Sequence, residues 1–206
     1  MNIIIYDTEY TSWHGSLENN WSREDEYREL VQLSAIKIKI NENDITIEDT
    51  FSEYCIPTIN SCLSDYFINL TGITNNIIKN KGYKFNELII KFFNFSKNDK
   101  LFSFGSKNGS DKIILLENID LNKNKNENIL NWINNNHFDI RPLFNLFKNT
   151  SNFNSGNLYK LFNIKINENQ IQEHNSLWDV KSQFFCLQHI YKENNDKVLN
   201  YLKNNY

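Results

Sequence analysis

The chain has 206 residues and a formal net charge of −3, and 40% of its residues are hydrophobic. This length is typical of one well-packed domain, and we expect residues 1–206 to form a single domain. The negative net charge argues against a broad basic surface that binds duplex nucleic acid without sequence preference, although a local basic strip is compatible with it.

The cysteines and the apolar runs indicate a cytoplasmic protein. Cys55, Cys62 and Cys186 have neither C-x-x-C spacing nor a neighbouring His cluster, which favours reduced thiols over a metal site or disulfides. The first residues are typical of a strand rather than a signal peptide. No apolar run approaches the length of about 18 residues that a membrane helix requires. We expect no membrane partner.

The N-terminal segment predicts the first strand and the first candidate site. An apolar run at residues 3–6 leads to Asp7 and Glu9. Because residues i and i+2 of a strand project from one face, the two carboxylates emerge side by side, about 7 Å apart. Their repulsion favours an oxygen-preferring cation, Mg²⁺ or Mn²⁺, between them. A D-x-E alone also fits the solvated end of a strand.

The polar segment that follows, residues 12–27, predicts a surface loop beside the two acids. It contains Trp13, His14 and Trp21, whose rings are candidates for stacking on the bases of a ligand. Such stacking is worth about 1–3 kcal/mol per base. The alternative is that the tryptophans only hold the loop against the core.

The middle of the chain predicts a hairpin and then helices. Alternating apolar residues indicate strands at 29–40 and 45–54, joined by a polar turn. Helical spacing predicts helices over 63–73 and 83–95, with a shorter one over 74–80. In the first of these helices, Ser64 is the predicted N-cap and Gly72 the predicted C-cap.

Asp111 lies between a fourth predicted strand and a helix. Residues 100–105 are short, aromatic and end in Gly, 106–110 are typical of a turn, and 111–118 predict a helix. A carboxylate at a helix N-terminus also suits the helix dipole, so a plain cap is the alternative role for Asp111. Residues 138–147 predict a short strand that runs into a helix.

The last long helix carries the remaining candidates. Apolar periodicity predicts that it begins near Ser176, which places His174 just before the helix and Asp179 in its first turn. The spacing of Ser176 and Asp179 also matches a capping box, which would be a purely structural role for this acid.

Together these residues predict a hydrolytic metal site. Asp7, Glu9, Asp111 and Asp179 in one cleft would repel one another strongly unless cations were bound. Two divalent cations about 4 Å apart relieve the repulsion and suit in-line attack of water on a phosphodiester. His174 titrates near neutrality and could accept the proton of that water.

The order D-x-E, a mid-chain Asp after a short strand, and H-x-x-x-x-D resembles the DEDDh branch of the DnaQ-like 3′–5′ exonucleases. The segments YDTEYTSWHGS and LSDYFINLTGI look most like the KapD-like predicted exonucleases, a subgroup that also resembles the Eri1-like RNA exonucleases. The resemblance covers nearly the whole chain. It implies a ribonuclease H-like α/β fold, in which helices flank a central five-stranded mixed sheet with three antiparallel strands first.

Residue by residue, the resemblance implies that two Mg²⁺ or Mn²⁺ ions are held by Asp7, Glu9, Asp111 and Asp179. Asp7 would bridge the two ions, and His174 would be the general base.

The resemblance also implies substrate contacts. Thr8 and Thr11 fall where the family contacts the terminal nucleotide, and we add Trp13 and His14 from the adjoining loop. For the mid-chain acid, Asp99 and Asp120 are alternatives to Asp111, although neither has as good a strand-to-helix context.

The leading hypothesis is a metal-dependent 3′–5′ exonuclease that releases nucleoside 5′-monophosphates from the 3′ end of single-stranded RNA or DNA, with RNA slightly favoured. A ribonuclease H-like endonuclease would explain the acids but leaves His174 without its role. A catalytically silent module that binds nucleic acid or protein is the third hypothesis. Intact acids argue against it, because unneutralised carboxylates destabilise a cleft.

Overall fold

A computed structural model describes residues 1–105, 111–167, 169 and 171–204. The strands are β1 (Asn2–Tyr10), β2 (Leu30–Ile40), β3 (Ile45–Cys55), β4 (Gly82–Tyr83), β5 (Lys100–Ser103) and β6 (His137–Asp139). The helices are α1 (Asp65–Thr71), α2 (Asn75–Lys81), α3 (Phe85–Ser96), α4 (Asp111–Leu121), α5 (Glu127–Asn136), α6 (Arg141–Asn145), α7 (Leu158–Leu161), α8 (Ser176–Glu193) and α9 (Asn195–Asn204). The turn predicted over 106–110 lies outside the described residues. Within the described ranges, no helix is long and apolar enough to span a bilayer.

Among the described residues, six strands form one mixed sheet in the order β4-β3-β2-β1-β5-β6. β2 is antiparallel to both β1 and β3, whereas the other pairs, β3 with β4, β1 with β5 and β5 with β6, are parallel. The predicted α/β class and the antiparallel first three strands are confirmed. The predicted number of five strands was wrong, because β4 has two residues and is too short to show an alternating pattern.

The central strand β1 is buried on both faces, which explains its continuous apolar run. Ile3 and Ile5 pack in one core cluster with α8, and Ile4 and Tyr6 pack in another with α3, α4 and α5. By the same alternation, odd-numbered residues further along β1 face α8 and even-numbered ones face α4. The acids at the end of β1 therefore point towards the helix that carries the last motif.

Side-chain caps fix the ends of two helices. Ser64 accepts a backbone N–H of α1, and Gly72 ends that helix in the left-handed conformation, with φ 73°, so both predicted caps are confirmed. In α8, which begins at Ser176 as predicted, the alternative of a capping box is excluded. Asn175 is the N-cap, and the Ser176 hydroxyl instead bonds the Ser34 hydroxyl on β2 at 2.7 Å. Residue 176 faces the sheet, so its side chain cannot close the helix end.

Glu29, just before β2, holds the segment that leads into α1. Its side chain is only 2% exposed and accepts backbone N–H groups from Thr58 at 2.6 Å, Ile59 at 2.9 Å and Asn60. These are donors that no regular secondary structure satisfies, so one carboxylate organises the whole turn. The position of α1 depends on this turn.

We predict that Glu29→Ala lowers the free energy of unfolding by about 3 kcal/mol, because three backbone N–H groups lose one shared acceptor at once. Urea unfolding measures the change. Glu48→Ala is the matched control, since Glu48 is exposed on β3, and we expect an effect within about 0.5 kcal/mol. Equal losses in both variants would contradict the anchoring role of Glu29.

Candidate active site

The end of β1 brings Asp7 and Glu9 to one side of the sheet. Asp7 pairs with Ser34 and Glu9 with Gln32 across β2, and the register shifts between Glu9 and Tyr10. Bulges of this kind redirect a side chain and are common beside active sites. One oxygen from each of Asp7, Glu9 and Asp179 lies within 4.8 Å of the others. The structure thus brings the first and last predicted motifs together.

Asp179 lies in the first turn of α8 and packs tightly against the segment before α7. The Ser155 hydroxyl donates to Asp179 Oδ2 at 3.1 Å. A Cβ atom on Gly156 would lie only 2.3 Å from Asp179 Oδ1, so this close approach requires glycine. The carbonyl of Gly156 accepts the Trp178 indole N–H at 2.8 Å, which fixes the two segments against each other.

Asp111 is the first residue of α4 and reaches the site from the opposite face of β1. Its Oδ1 accepts the Thr8 backbone N–H at 2.9 Å and the Thr8 hydroxyl at 2.7 Å. Of the two alternatives, Asp99 forms an ion pair with Lys37 at 3.1 Å. Asp120 is exposed at the far end of α4. The geometry therefore favours Asp111 as the mid-chain acid.

His174 lines the same cavity as the four acids. Its backbone has φ 65°, a left-handed conformation that is uncommon for a residue with a side chain, and it directly precedes the N-cap of α8. Burial lowers the pKa of the His174 imidazole below its usual value. The ring is therefore neutral at physiological pH and able to accept a proton.

Burial and mutual repulsion destabilise the charged forms of the carboxyl groups at this site. Burial, followed by repulsion from Asp111, Asp179 and Glu9, raises the pKa of Asp7 well above its usual value. Burial and the charges of Asp179 and Asp111 do the same to the pKa of Glu9. Burial raises the pKa of Asp179 to about 7, although the Ser155 hydroxyl partly offsets this effect. Burial also raises the pKa of Asp111.

This donor set fits hard divalent cations. All the candidate ligand atoms are carboxylate oxygens, which Mg²⁺ and Mn²⁺ prefer. Asp179 Oδ1 is buried without a hydrogen-bond partner among the described residues. A buried acceptor of this kind is costly unless something positive binds it. Cations at this position would remove both the repulsion and the unsatisfied acceptor.

Aromatic and apolar side chains form the walls of a cavity of about 370 Å³ above the acids. Its lining includes Thr8 and Trp13, which are two of the predicted substrate contacts, and also Trp21 and Tyr66 of α1. Trp21 packs against Tyr10, with ring centroids 5.4 Å apart. These walls offer flat surfaces on which a nucleotide base can stack.

Two other predicted contact residues lie outside the lining of this cavity. Thr11 is buried, its hydroxyl donates to the Tyr27 carbonyl, and it accepts the Glu29 N–H at 2.9 Å. It thereby closes the base of the loop. His14 is exposed and packs edge-on against Tyr66, with centroids 6.1 Å apart. Both residues support the wall rather than form it.

Comparison with known proteins agrees with this geometry. A sequence model of the family RNase_T, described as exonuclease, matches residues 4–183. The chain belongs to this exonuclease family. It is similar to 3′-5′ exoribonuclease 1 of Rattus norvegicus, 34% identical over 64 residues, which are 31% of this chain and 18% of that protein. The match thus spans less than a fifth of the curated relative.

Solved structures of other exonucleases share the fold. The nuclease domain of 3′hExo, a DEDDh family member bound to rAMP, has a TM-score of 0.72 at 21% identity, covering 94% of this chain and 92% of that one. E. coli exonuclease I in complex with an oligonucleotide has a TM-score of 0.66 at 15% identity, covering 98% and 42%. The predicted ribonuclease H-like exonuclease fold is confirmed.

In this member of the exonuclease family, the motifs did not reveal several residues of the site. Ser155 and Gly156 belong to a segment without periodicity, and only the folded chain places them against Asp179. Phe104 and Arg141 also line the cavity, at the ends of β5 and β6. For Arg141, the available signal in the sequence was its position close after a short predicted strand.

We predict that Asp179→Asn stabilises the metal-free protein at about pH 8, by on the order of 1–3 kcal/mol. The pKa of Asp179 is raised to about 7, so between about pH 4 and 7 the folded state binds a proton that the unfolded state releases. Wild-type stability in EDTA should therefore fall as pH rises through this window. Urea unfolding at both ends of the window measures the slope.

In Mn²⁺, we expect wild type to be more stable than Asp179→Asn. The reason is that the ion stabilises wild type and stabilises the variant only a little. Asp196→Asn changes an exposed residue of α9, and we expect its stability to depend on pH as that of wild type does, both in EDTA and in Mn²⁺. A destabilised Asp179→Asn protein in EDTA would contradict the electrostatic account of this site.

Proposed function

We propose that this chain is a metal-dependent 3′–5′ exonuclease that hydrolyses the terminal phosphodiester bond of single-stranded nucleic acid and releases nucleoside 5′-monophosphates. The observation that carries the proposal is the convergence, in one cavity, of four carboxylates from three separate elements and of a neutral histidine from the segment before α8. The proposal treats residues 1–206 as one exonuclease domain.

Asp7, Glu9, Asp111 and Asp179 would hold two divalent cations, Mg²⁺ or Mn²⁺. When bound, such ions neutralise the site, lower the pKa of an attacking water and stabilise the leaving oxygen. The chain itself supplies rigid placement of these acids. β1 is buried on both faces. Asp179 accepts a hydrogen bond from the Ser155 hydroxyl and packs closely against Gly156.

His174 is the general base in this proposal. It lines the cavity, and its lowered pKa keeps the imidazole free of a proton at physiological pH. A neutral imidazole can take the proton of the attacking water as the phosphorus–oxygen bond forms. His174 precedes the N-cap of α8, in the left-handed backbone conformation, and its position in the cavity lining supports this role.

The shape of the cavity supports a single-stranded terminus as substrate. A volume of about 370 Å³ suits one terminal nucleotide, and the net charge of −3 does not suit a long duplex. Thr8 and Trp13 are the proposed contacts to that nucleotide. RNA is the proposed polymer because the sequence similarity is to 3′-5′ exoribonuclease 1, and a structural relative holds rAMP.

We predict that the protein shortens 5′-labelled single-stranded RNA from the 3′ end in Mg²⁺ or Mn²⁺, and shortens matched DNA more slowly. EDTA and Asp7→Asn should each abolish the ladder. Internal cuts would instead indicate an endonuclease. No cleavage by folded protein would favour the silent binding module.

We predict that His174→Gln lowers kcat by about 100-fold or more and leaves substrate affinity nearly unchanged, because the residue moves a proton rather than holding substrate. His189→Gln is the matched control, since His189 pairs with Glu193 at 3.0 Å and lies outside the lining of the cavity. With saturating metal, wild-type kcat should fall only below about pH 6.5, in the direction of the lowered pKa of His174. Unchanged kcat in His174→Gln would rule out this base.

A further inference from the structure

One cationic side chain reaches into the candidate active site. Among the described residues that line the cavity, Arg141 is the sole Arg or Lys. It is the first residue of α6, one residue after the end of β6, and no predicted motif includes it. An arginine in a cavity dominated by acids needs a physical reason, since a neighbouring carboxylate would normally pair with it.

Arg141 has no such partner in the part of the chain that the structure describes. The ion pairs found there do not include it. Its Nε is buried without a hydrogen-bond partner among those residues. The nearby Asp139 uses its Oδ1 to accept two backbone N–H groups, from Gly105 at 2.9 Å and from Arg141 itself at 2.8 Å. The charge of Asp139 acts on Arg141, but among the described residues the guanidinium forms no ion pair and its Nε no hydrogen bond, which leaves N–H donors for an external anion.

Phe104 orients this guanidinium. The Arg141 Cζ lies 4.2 Å from the centroid of the Phe104 ring, a cation–π contact. Phe104 is itself 7% exposed and belongs to the core, so the contact holds the planar group against a rigid surface. An arginine held in this way presents its N–H donors in a fixed fork, which matches two oxygens of a phosphate.

The sheet places Arg141 to one side of the acids. β5 lies between β1 and β6, so two strand spacings, about 10 Å, separate the backbone of β1 from that of β6. Asp7 and Glu9 lie on β1, whereas Arg141 follows β6. This offset, with the guanidinium held against Phe104, favours an anion next to the reacting phosphate over the reacting phosphate itself.

The chemistry of a 3′ end identifies that neighbour. The terminal nucleotide of a strand with a free 3′-hydroxyl contributes one phosphate, and this is the phosphate that is cleaved. Any second phosphate must belong to the next linkage in the 5′ direction. We propose that Arg141 binds the phosphate of the linkage immediately 5′ of the scissile bond. This inference rests on the proposed exonuclease function and adds a subsite to it.

Dinucleotides provide a direct test. ApA has only the scissile phosphate, whereas pApA carries a second phosphate where the next linkage would be. We expect wild type to cleave pApA with a kcat/KM about tenfold or more above that for ApA, as a charged hydrogen bond allows. Arg141→Gln, which retains much of the side-chain stem over Phe104, should bring this ratio close to one through a loss on pApA alone.

Two further variants sharpen the comparison. Lys148→Gln removes an exposed cation that binds the Leu161 carbonyl at 2.9 Å, outside the lining of the cavity, and should keep the wild-type ratio. Arg141→Lys keeps the charge without the fork and should give an intermediate ratio. Equal losses on both dinucleotides in Arg141→Gln, or no preference in wild type, would overturn the assignment.

Calorimetric titration of both dinucleotides into EDTA-treated protein repeats the comparison without cleavage. Tighter binding of pApA than of ApA, lost in Arg141→Gln, would support the subsite. Equal binding of the two by wild type would overturn it. A wild-type protein that cleaves neither dinucleotide nor longer RNA would instead refute the proposed exonuclease, and the binding ratio would still decide the role of Arg141.

Discussion

Repulsion among buried carboxylates is the constraint on which the rest of this structure depends. Asp7, Glu9 and Asp179 approach within 4.8 Å, and Asp111 adds a fourth charge. A flexible chain would relieve such repulsion by moving apart. Here the acids remain together because their elements are fixed by apolar packing that is unrelated to the site: β1 is buried between two cores, and α8 packs across the sheet. The energy of the cores opposes the repulsion of the acids.

The division between rigid and adaptable parts follows from this constraint. The acids lie on regular elements, whereas much of the nucleotide-sized cavity is walled by the loop after β1 and by α1. Thr11 closes the base of that loop through Tyr27 and Glu29, and Trp21 donates its indole N–H to the Thr11 carbonyl at 3.0 Å. Glu29 then extends the same network to the turn before α1. Loop and helix are thus tied to one short stretch at the start of β2, and the walls hold a defined position relative to the acids.

Sequence could predict the parts of the site that depend on local spacing. Two motifs are visible without a structure: D-x-E after an apolar run, and a histidine five residues before an acid at a helix start. The family resemblance indicated Asp111. The remaining parts depend on contacts between distant segments. Gly156 is distinctive only because Asp179 packs on it, and Arg141 only because β6 lies beside β5. The two-residue β4 is likewise formed by pairing with β3, not by any pattern of its own.

The arrangement of charge also bears on the order in which the proposed reaction takes place. Without cations, the four acids repel a phosphate that is brought between them, so the scissile phosphate can approach only after the site is neutralised. The proposed subsite at Arg141 differs, because its positive charge is permanent and lies to one side of the acids. A strand could therefore be held by its second phosphate before the terminal linkage is engaged. Since only one direction along the strand places a second phosphate at Arg141, the same charge that attracts the substrate would also fix its polarity.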